Sequence, residues 1–349
     1  MQSAGGVAVN LQQKGDKVLR VRKTFHVVVN PAGASGRTGK VMEELLPKMQ
    51  QSGQELIVHY SRPDYSIRSI VREVTAGEDP VNLIIVGGDG TLNEAVNGIR
   101  DLAKVRLGLL PIGSGNDFAR GIGLTTSDPE ALAQRILKGE VHRSIDVGEV
   151  IYHSAYTMGL KDKAPVPVPE AVGKKIRFLV SAGIGFDAEI CHEASVTPVK
   201  PLLNRLHLGQ GVYILSAIHL IFTSKLIPLT LTLDGGRKVQ HYKRDLFTVA
   251  MNERYEGGGY QFCPEALDDD GIFHICSANP LRKMIFFMIF PTVPSGKHWR
   301  FRKTMRPDAA RTLEIKTAAP RWVHQDGETP YMSDHLTIDF LDRRLDLLM

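Results

Sequence analysis

The chain has 349 residues, 43% hydrophobic and 23% charged, with a formal net charge of +5 and a pI of about 9.0. This is the make-up of a folded globular protein and excludes a disordered or fibrous one. The length suits two domains, and the basic balance suits an anionic partner: a nucleotide, a phospholipid surface or a nucleic acid. The three cysteines, Cys191, Cys263 and Cys276, form no CxxC pair, which argues against a zinc site and fits reduced thiols in a cytoplasmic protein. No apolar run approaches the roughly 20 residues of a membrane span.

In chain order, Met1–Asn10 lacks the apolar core of a signal peptide. Residues 11–23, with Lys14, Lys17, Arg20, Arg22 and Lys23, read as a solvated lead-in. Strands are then predicted at Phe25–Asn30, Glu55–Tyr60, Asn82–Val86 and Arg106–Ile112. Helices fill the gaps, among them Lys40–Gln51 and Pro129–Lys138. Alternation at this spacing predicts a parallel, doubly wound sheet, on which ligands bind beyond the carboxyl ends of the strands. After Asp146 the pattern changes. Pro165, Pro167 and Pro169 mark an exposed loop. Strand-like runs separated by turns follow at Arg177–Ala182, Pro228–Leu233, Leu246–Met251 and Gly271–Cys276, interrupted by a helical stretch at about Val212–Thr223. This predicts a mostly antiparallel β domain.

The strongest chemical signal is Gly87-Gly88-Asp89-Gly90-Thr91. It follows the apolar run Leu83–Val86 and precedes Leu92, Ala95, Val96 and Ile99, which share one helix face. Glycines between a strand end and a helix N-terminus let the backbone approach a phosphate, where free N–H groups and the helix dipole favour an anion. Asp89 in such a loop can reach a metal ion carried by the phosphates. Alone, the pentapeptide reads more readily as an Asp-Gly turn; its strand-loop-helix setting favours the phosphate loop. Gly113-Ser114-Gly115-Asn116-Asp117 repeats the arrangement, with Ser114 as a phosphate donor and Asp117 as a further acid for the metal. The turn Asn30-Pro31-Ala32-Gly33-Ala34-Ser35-Gly36 is a third cradle. Gly39-Lys40 imitates the end of a P-loop, but Ala34 stands where the first glycine belongs and Val41 where Ser or Thr belongs.

Taken together and in this order, Asn30-Pro31 with its glycine-rich turn, the Gly87–Thr91 loop, Leu-Pro-Ile-Gly-Ser-Gly-Asn-Asp-Phe-Ala at 110–119 and Ala-Gly-Ile-Gly-Phe-Asp at 182–187 resemble the diacylglycerol kinase catalytic family. That family includes soluble bacterial lipid kinases and the sphingosine and ceramide kinases. The resemblance runs from about residue 24 to 349. It implies a nucleotide-binding α/β domain over 24–146, to which 341–349 return, an antiparallel β-sandwich lipid domain over 147–340, and a cleft between them. It implies ATP and Mg²⁺. The nucleotide would meet Asn30, Pro31, Ala32, Gly33, Ala34, Ser61, Gly87, Gly88, Asp89, Gly90, Thr91, Leu92, Asn93 and Ser114, with Asp89, Asp117 and Asp146 serving the metal and its water.

The resemblance gives two later motifs a meaning. Asp326-Gly327-Glu328 is by itself a hairpin signal. It matches the family's late DGE motif, in which Glu328 would accept the proton of the substrate hydroxyl, as an ionised carboxylate can. Leu267-Asp268-Asp269-Asp270-Gly271-Ile272 is otherwise a solvated turn. Here the resemblance implies a structural Mg²⁺ held by Asp270 and the main-chain oxygens of Leu267 and Ile272, the all-oxygen ligation that suits this ion. Asp187 is expected to be structural.

Lys297-His298-Trp299-Arg300-Phe301-Arg302-Lys303 is a basic-aromatic cluster, readable as a solvated turn or as a surface for anionic headgroups. Tyr152–Lys174 is longer than the family connection, and lid and insertion stay open as readings. The outcome is a peripheral, ATP-dependent kinase of a lipid hydroxyl such as that of diacylglycerol, at the inner membrane surface, with β-domain edges available for a homodimer. NAD kinases share the Gly87–Thr91 element, but the 113–119 run and the late DGE motif are not expected of them. A non-catalytic lipid-binding protein on the same scaffold would not need Asp89, Asp117 and Glu328 together. The basic residues are spread along the chain without a nucleic-acid motif.

Overall fold

The computed structural model describes residues 23–124, 128–159, 164–196, 217–280 and 282–349. The apolar runs at 27–29 and 83–86 carry too little polar surface to leave a face wet, which is the condition for a strand covered on both sides. They form β1 (Thr24–Val29) and β3 (Val81–Gly87). With β2 (Glu55–Tyr60), β4 (Val105–Pro111), β5 (Val141–Ile145) and β18 (Leu345–Leu348) they make a sheet of order β2-β1-β3-β4-β18-β5. Its pairs are parallel except β18 with β5. Helices α1 (Arg37–Gln50), α2 (Ile67–Val74), α3 (Asp89–Gly98) and α5 (Pro129–Ile136) bury Met42, Ile70, Val96 and Ile136 against it. α5 starts where its chemistry says it should: the Asp128 side chain accepts from Glu130 N and Ala131 N, both at 3.0 Å, and Pro129 opens the first turn.

The second domain is antiparallel. Its main path pairs β15 (Met305–Ala310), β14 (Phe273–Ala278), β13 (Phe247–Met251), β10 (Ser181–Gly185), β16 (Leu313–Gln325), β17 (Glu328–Phe340), β6 (Gly148–Tyr152) and β9 (Lys175–Phe178) in that order. Off this path, β11 (Ile227–Leu233) pairs with β16 and with β12 (Lys238–Asp245). Phe178, Ile184, Leu231, Phe273 and Val323 fill one core; Phe186, Phe247, Cys276 and Phe286 fill another. The fold is therefore α/β, with a parallel-sheet first domain and an antiparallel β-sandwich second domain.

Two local expectations need correction. The predicted strand Arg177–Ala182 is broken into β9 and β10, because Leu179 N and Val180 N leave the ladder to bond the Asp326 carboxylate. Pro165 and Pro167 do not lie in a loop. They form β8 (Pro165–Pro167), paired with β7 (Tyr156–Met158). β8 is an edge strand, where alternate prolines can turn their missing donors outward. Of the helix predicted at 212–223, residues 217–223 are helical and 212–216 lie outside the described residues. The 182–187 motif spans the junction of β10 and α6 (Phe186–Val196). Among the described residues no helix is long and apolar enough to cross a membrane.

Candidate active site

Three loops leave the carboxyl ends of β1, β3 and β4 side by side, since Val29 pairs with Val86 and Gly87 with Pro111. In the first loop Gly33 N donates to Asn30 O at 3.0 Å, and Asn30 Nδ2 donates to Thr91 Oγ1 at 3.3 Å, joining it to the second. Ala34 and Ser35 are left-handed, with φ of 49° and 58°. Such conformations cost about 1–3 kcal/mol and persist where the surroundings impose them. The second and third loops meet through glycine. A β-carbon on Gly113 would stand 2.6 Å from Gly88 Cα, so only residues without one allow the approach. Ser114 is exposed at the tip of the third loop, and Ser61 continues β2, its N–H bonded to Val29 O at 3.0 Å.

Asp89 opens α3, and its carboxylate accepts from Asp117 N at 3.2 Å and Phe118 N at 3.4 Å. It thereby caps α4 (Asp117–Gly121). Asp117 Oδ2 accepts from Gly258 N of the β domain at 2.7 Å, and its Oδ1 meets Arg120 Nη1 at 3.3 Å. A β-carbon on Gly115 would lie 3.2 Å from Asp89 Oδ2 and 3.5 Å from Asp117 Oδ2, so one glycine makes room for both acids. Burial pushes both carboxyls above their ordinary values, against the N–H donors they accept from.

Asp326 and Gly327 form the two-residue turn between β16 and β17, with φ of 50° and 85°, the left-handed pair that such hairpins demand. The Asp326 carboxylate accepts from Leu179 N (3.0 Å), Val180 N (2.8 Å), Ser181 N (3.2 Å) and Asn93 Nδ2 (3.0 Å). The turn is thus fixed to α3. Exposed Glu328 then reaches the start of α3, where a β-carbon on Gly90 would be 3.0 Å from its Oε1. The other end of α3 is held too. Arg177 Nη1 donates to Val96 O (3.0 Å) and Ile99 O (2.6 Å), where a cation suits the helix C-terminus.

Within the 87–93 run, the side chains of Thr91, Leu92 and Asn93 build scaffold: they bond Asn30, enter the core, and bond Asp326 with Arg177 O, respectively. Asp146 is placed with the acidic turn. Its Oδ2 accepts from Gly271 N and its Oδ1 from Arg344 Nε, both at 2.8 Å. Asp270 Oδ1 accepts from Ile272 N at 2.9 Å. The bond holds Asp270 in the turn through a main-chain N–H; the Leu267 and Ile272 side chains are exposed, so only their main-chain oxygens could serve as ligands.

Sequence reasoning missed a buried cluster under the turn. Gly327 N lies 3.4 Å from His324 Nδ1, and Nε2 lies 3.1 Å from Asp187 Oδ2 and 3.2 Å from Glu256 Oε1. Burial opposes the charge on the ring, but the two carboxylates raise its pKa to about 9. Burial pushes Glu256 up to about 7. No spacing rule connects positions 187, 256 and 324; only the fold brings them together.

A parallel sheet with three glycine loops at its strand ends is thus faced by an acid from a β-sandwich, and the matches to known proteins place this two-domain chain in a family of phosphotransferases of the kinase type. Residues 24–150 match the diacylglycerol kinase catalytic domain, and residues 181–335 match the YegS C-terminal NAD kinase beta sandwich-like domain. A protein of Chromohalobacter salexigens named "Probable lipid kinase YegS-like" is 30% identical over 265 residues, covering 72% of this chain and 73% of that one. A diacylglycerol kinase of Bacillus subtilis is 24% identical over 307 residues, covering 88% and 90%. The crystal structure of a diacylglycerol kinase from Bacillus anthracis str. Sterne has the same fold, with a TM-score of 0.62 at 19% identity over 94% and 96% of the two chains. The chain belongs to the diacylglycerol kinase catalytic-domain family.

Proposed function

We propose that this protein transfers the γ-phosphate of ATP to a hydroxyl of a lipid such as diacylglycerol, working as a peripheral protein at the cytoplasmic membrane surface. The observation that carries the reading is Glu328, brought by the β-sandwich against Gly90 at the phosphate-type end of α3. In this reading 24–146 with 341–349 hold the nucleotide, 147–340 hold the lipid, and 1–23 are a lead-in. The Asn30–Ala34 turn, Ser61, the 87–91 loop and Ser114 cradle the phosphates with N–H and hydroxyl groups. Mg²⁺, when bound with ATP, supplies neutralisation of the phosphate charge. Asp89 and Asp117 fit it, because Gly115 leaves room beside both carboxylates, 3.2 Å and 3.5 Å from where its β-carbon would stand, and carboxylate oxygens suit this ion. Glu328 orients the hydroxyl and accepts its proton, held in place by the Asp326–Asn93 bond. Asp146 would serve the metal and its water, and Asp270 with the main-chain oxygens of Leu267 and Ile272 would hold a structural Mg²⁺.

The test is transfer of labelled phosphate from ATP to a panel of lipids in mixed micelles: diacylglycerol, monoacylglycerol, phosphatidylglycerol and a sphingoid base. A labelled lipid phosphate is the expected product. Transfer to NAD and to no lipid overturns the proposal.

A further inference from the structure

Segments 217–228 and 282–303 contain seven Lys or Arg residues and no Asp or Glu. Each holds a short helix, 217–223 and Lys283–Ile289. The inner sides of these helices are core: Ala217, Ile221, Phe286 and Ile289 are buried with Phe186 and Phe247. Their outer sides leave Ile218, Phe222, Met284, Phe287 and Met288 exposed, Met288 by 71%. The helices form one patch, since the Phe222 and Phe287 rings lie 5.4 Å apart and Lys283 Nζ donates to Phe222 O at 2.6 Å. Single exposed apolar residues are ordinary, but a contiguous set marks an interaction site. Exposed Lys225, Arg282, Lys297, Arg300, Arg302 and Lys303 belong to the same two segments.

We propose that this two-helix face seats the protein on an anionic lipid bilayer. Apolar side chains accompanied by seven cations, against which Glu189 of α6 is set through Ser224 Oγ and Lys283, match the two layers such a surface offers: acyl chains below and phosphate headgroups above. A second copy of the same face would set cations against cations, which disfavours self-association. The face also lies close to the site. Phe290, which follows the second helix, stacks on Tyr260 at 5.7 Å. Tyr260 closes the turn with Glu256 whose Gly258 N–H reaches Asp117. For delivery of substrate the inference rests on the lipid-kinase reading; the surface itself rests on its own geometry.

The test is sedimentation of the full chain with vesicles of phosphatidylcholine, with or without phosphatidylglycerol, at 0.1 M and 1 M salt, where screening lengths are about 10 Å and 3 Å. Wild type is expected to bind the anionic vesicles, less at high salt. The double variant Met284→Glu, Met288→Glu is expected to bind them at least about tenfold more weakly, a loss of roughly 1.4 kcal/mol. Both side chains are exposed, so its melting temperature and ATP binding stay at wild-type values. Its turnover falls on vesicle-borne diacylglycerol and holds on a short-chain, dispersed diacylglycerol. Vesicle binding equal to wild type overturns the proposal, as does a change from dimer to monomer with vesicle binding retained. If no lipid is phosphorylated in either form, the lipid-kinase reading fails, while loss of vesicle binding in the variant still supports the face.

Discussion

Asp326 and Glu328 stand two residues apart with opposite tasks. Asp326 spends its carboxylate on three backbone N–H groups and Asn93, whereas Glu328 is exposed beside Gly90. Glu328→Gln keeps the shape and removes the base. We expect kcat to fall about 10²–10⁴-fold, or about 3–5 kcal/mol of barrier, with nucleotide affinity unchanged. A variant retaining more than about a tenth of kcat would remove Glu328 from this role. Asp89→Asn should behave differently, lowering nucleotide affinity and melting temperature together, because Asp89 also caps α4. Glu253 gives a pH prediction. It is buried with Oε1 unpartnered, and burial pushes it up to about 8. A folded value above the unfolded one contributes stability that is complete below the unfolded value and is lost as pH rises from there through about 8. Glu253→Gln has no such term, so its melting temperature should pull ahead of wild type increasingly between pH 5 and pH 9. A gap that does not widen with pH would refute this.

At the scale of elements, the glycine loops were legible because each sits between an apolar strand and a helix face, and the late DGE motif was legible as a hairpin. What the turn binds was not. The break at Leu179-Val180 has a tertiary cause, the Asp326 carboxylate, and no local propensity announces it. His324, Asp187 and Glu256 are equally silent in sequence, because convergence from three separate elements leaves no periodic trace. The latch itself is testable. Asp326→Ala leaves Leu179, Val180 and Ser181 N–H without their charged acceptor. Since a hydrogen bond to a charged group contributes about 1.5–3 kcal/mol, urea melts should show a loss of at least about 2 kcal/mol. The kcat should fall with it, while KM for ATP changes little; a wild-type melt would show the latch to be dispensable. For the acidic turn, Asp270→Ala should lower the melting temperature and abolish its rise on adding Mg²⁺, since a metal that binds only the folded state stabilises it. An equal Mg²⁺ response in variant and wild type would rule out the ion at this turn.

At the scale of the whole molecule, the parallel sheet could be read from strand and helix alternation, and the β domain from closely spaced turns. The order of strands could not, because pairing across the second sheet joins residues far apart in sequence, as in β10 with β16. The return of 341–349 to the first sheet was implied by the family resemblance, not by the strand pattern, and its position there, as β18 between β4 and β5, was not implied at all. Its placement governs how the protein is made as well as how it stands. A ribosome adding about 5–20 residues per second emits β5 about 200 residues ahead of β18, so the first sheet waits roughly 10–40 s with a gap between β4 and its edge strand β5. Translation therefore cannot complete the parallel-sheet domain first and the β-sandwich second. A message broken within the second domain leaves both domains unfinished, the first without the strand that joins β4 to β5.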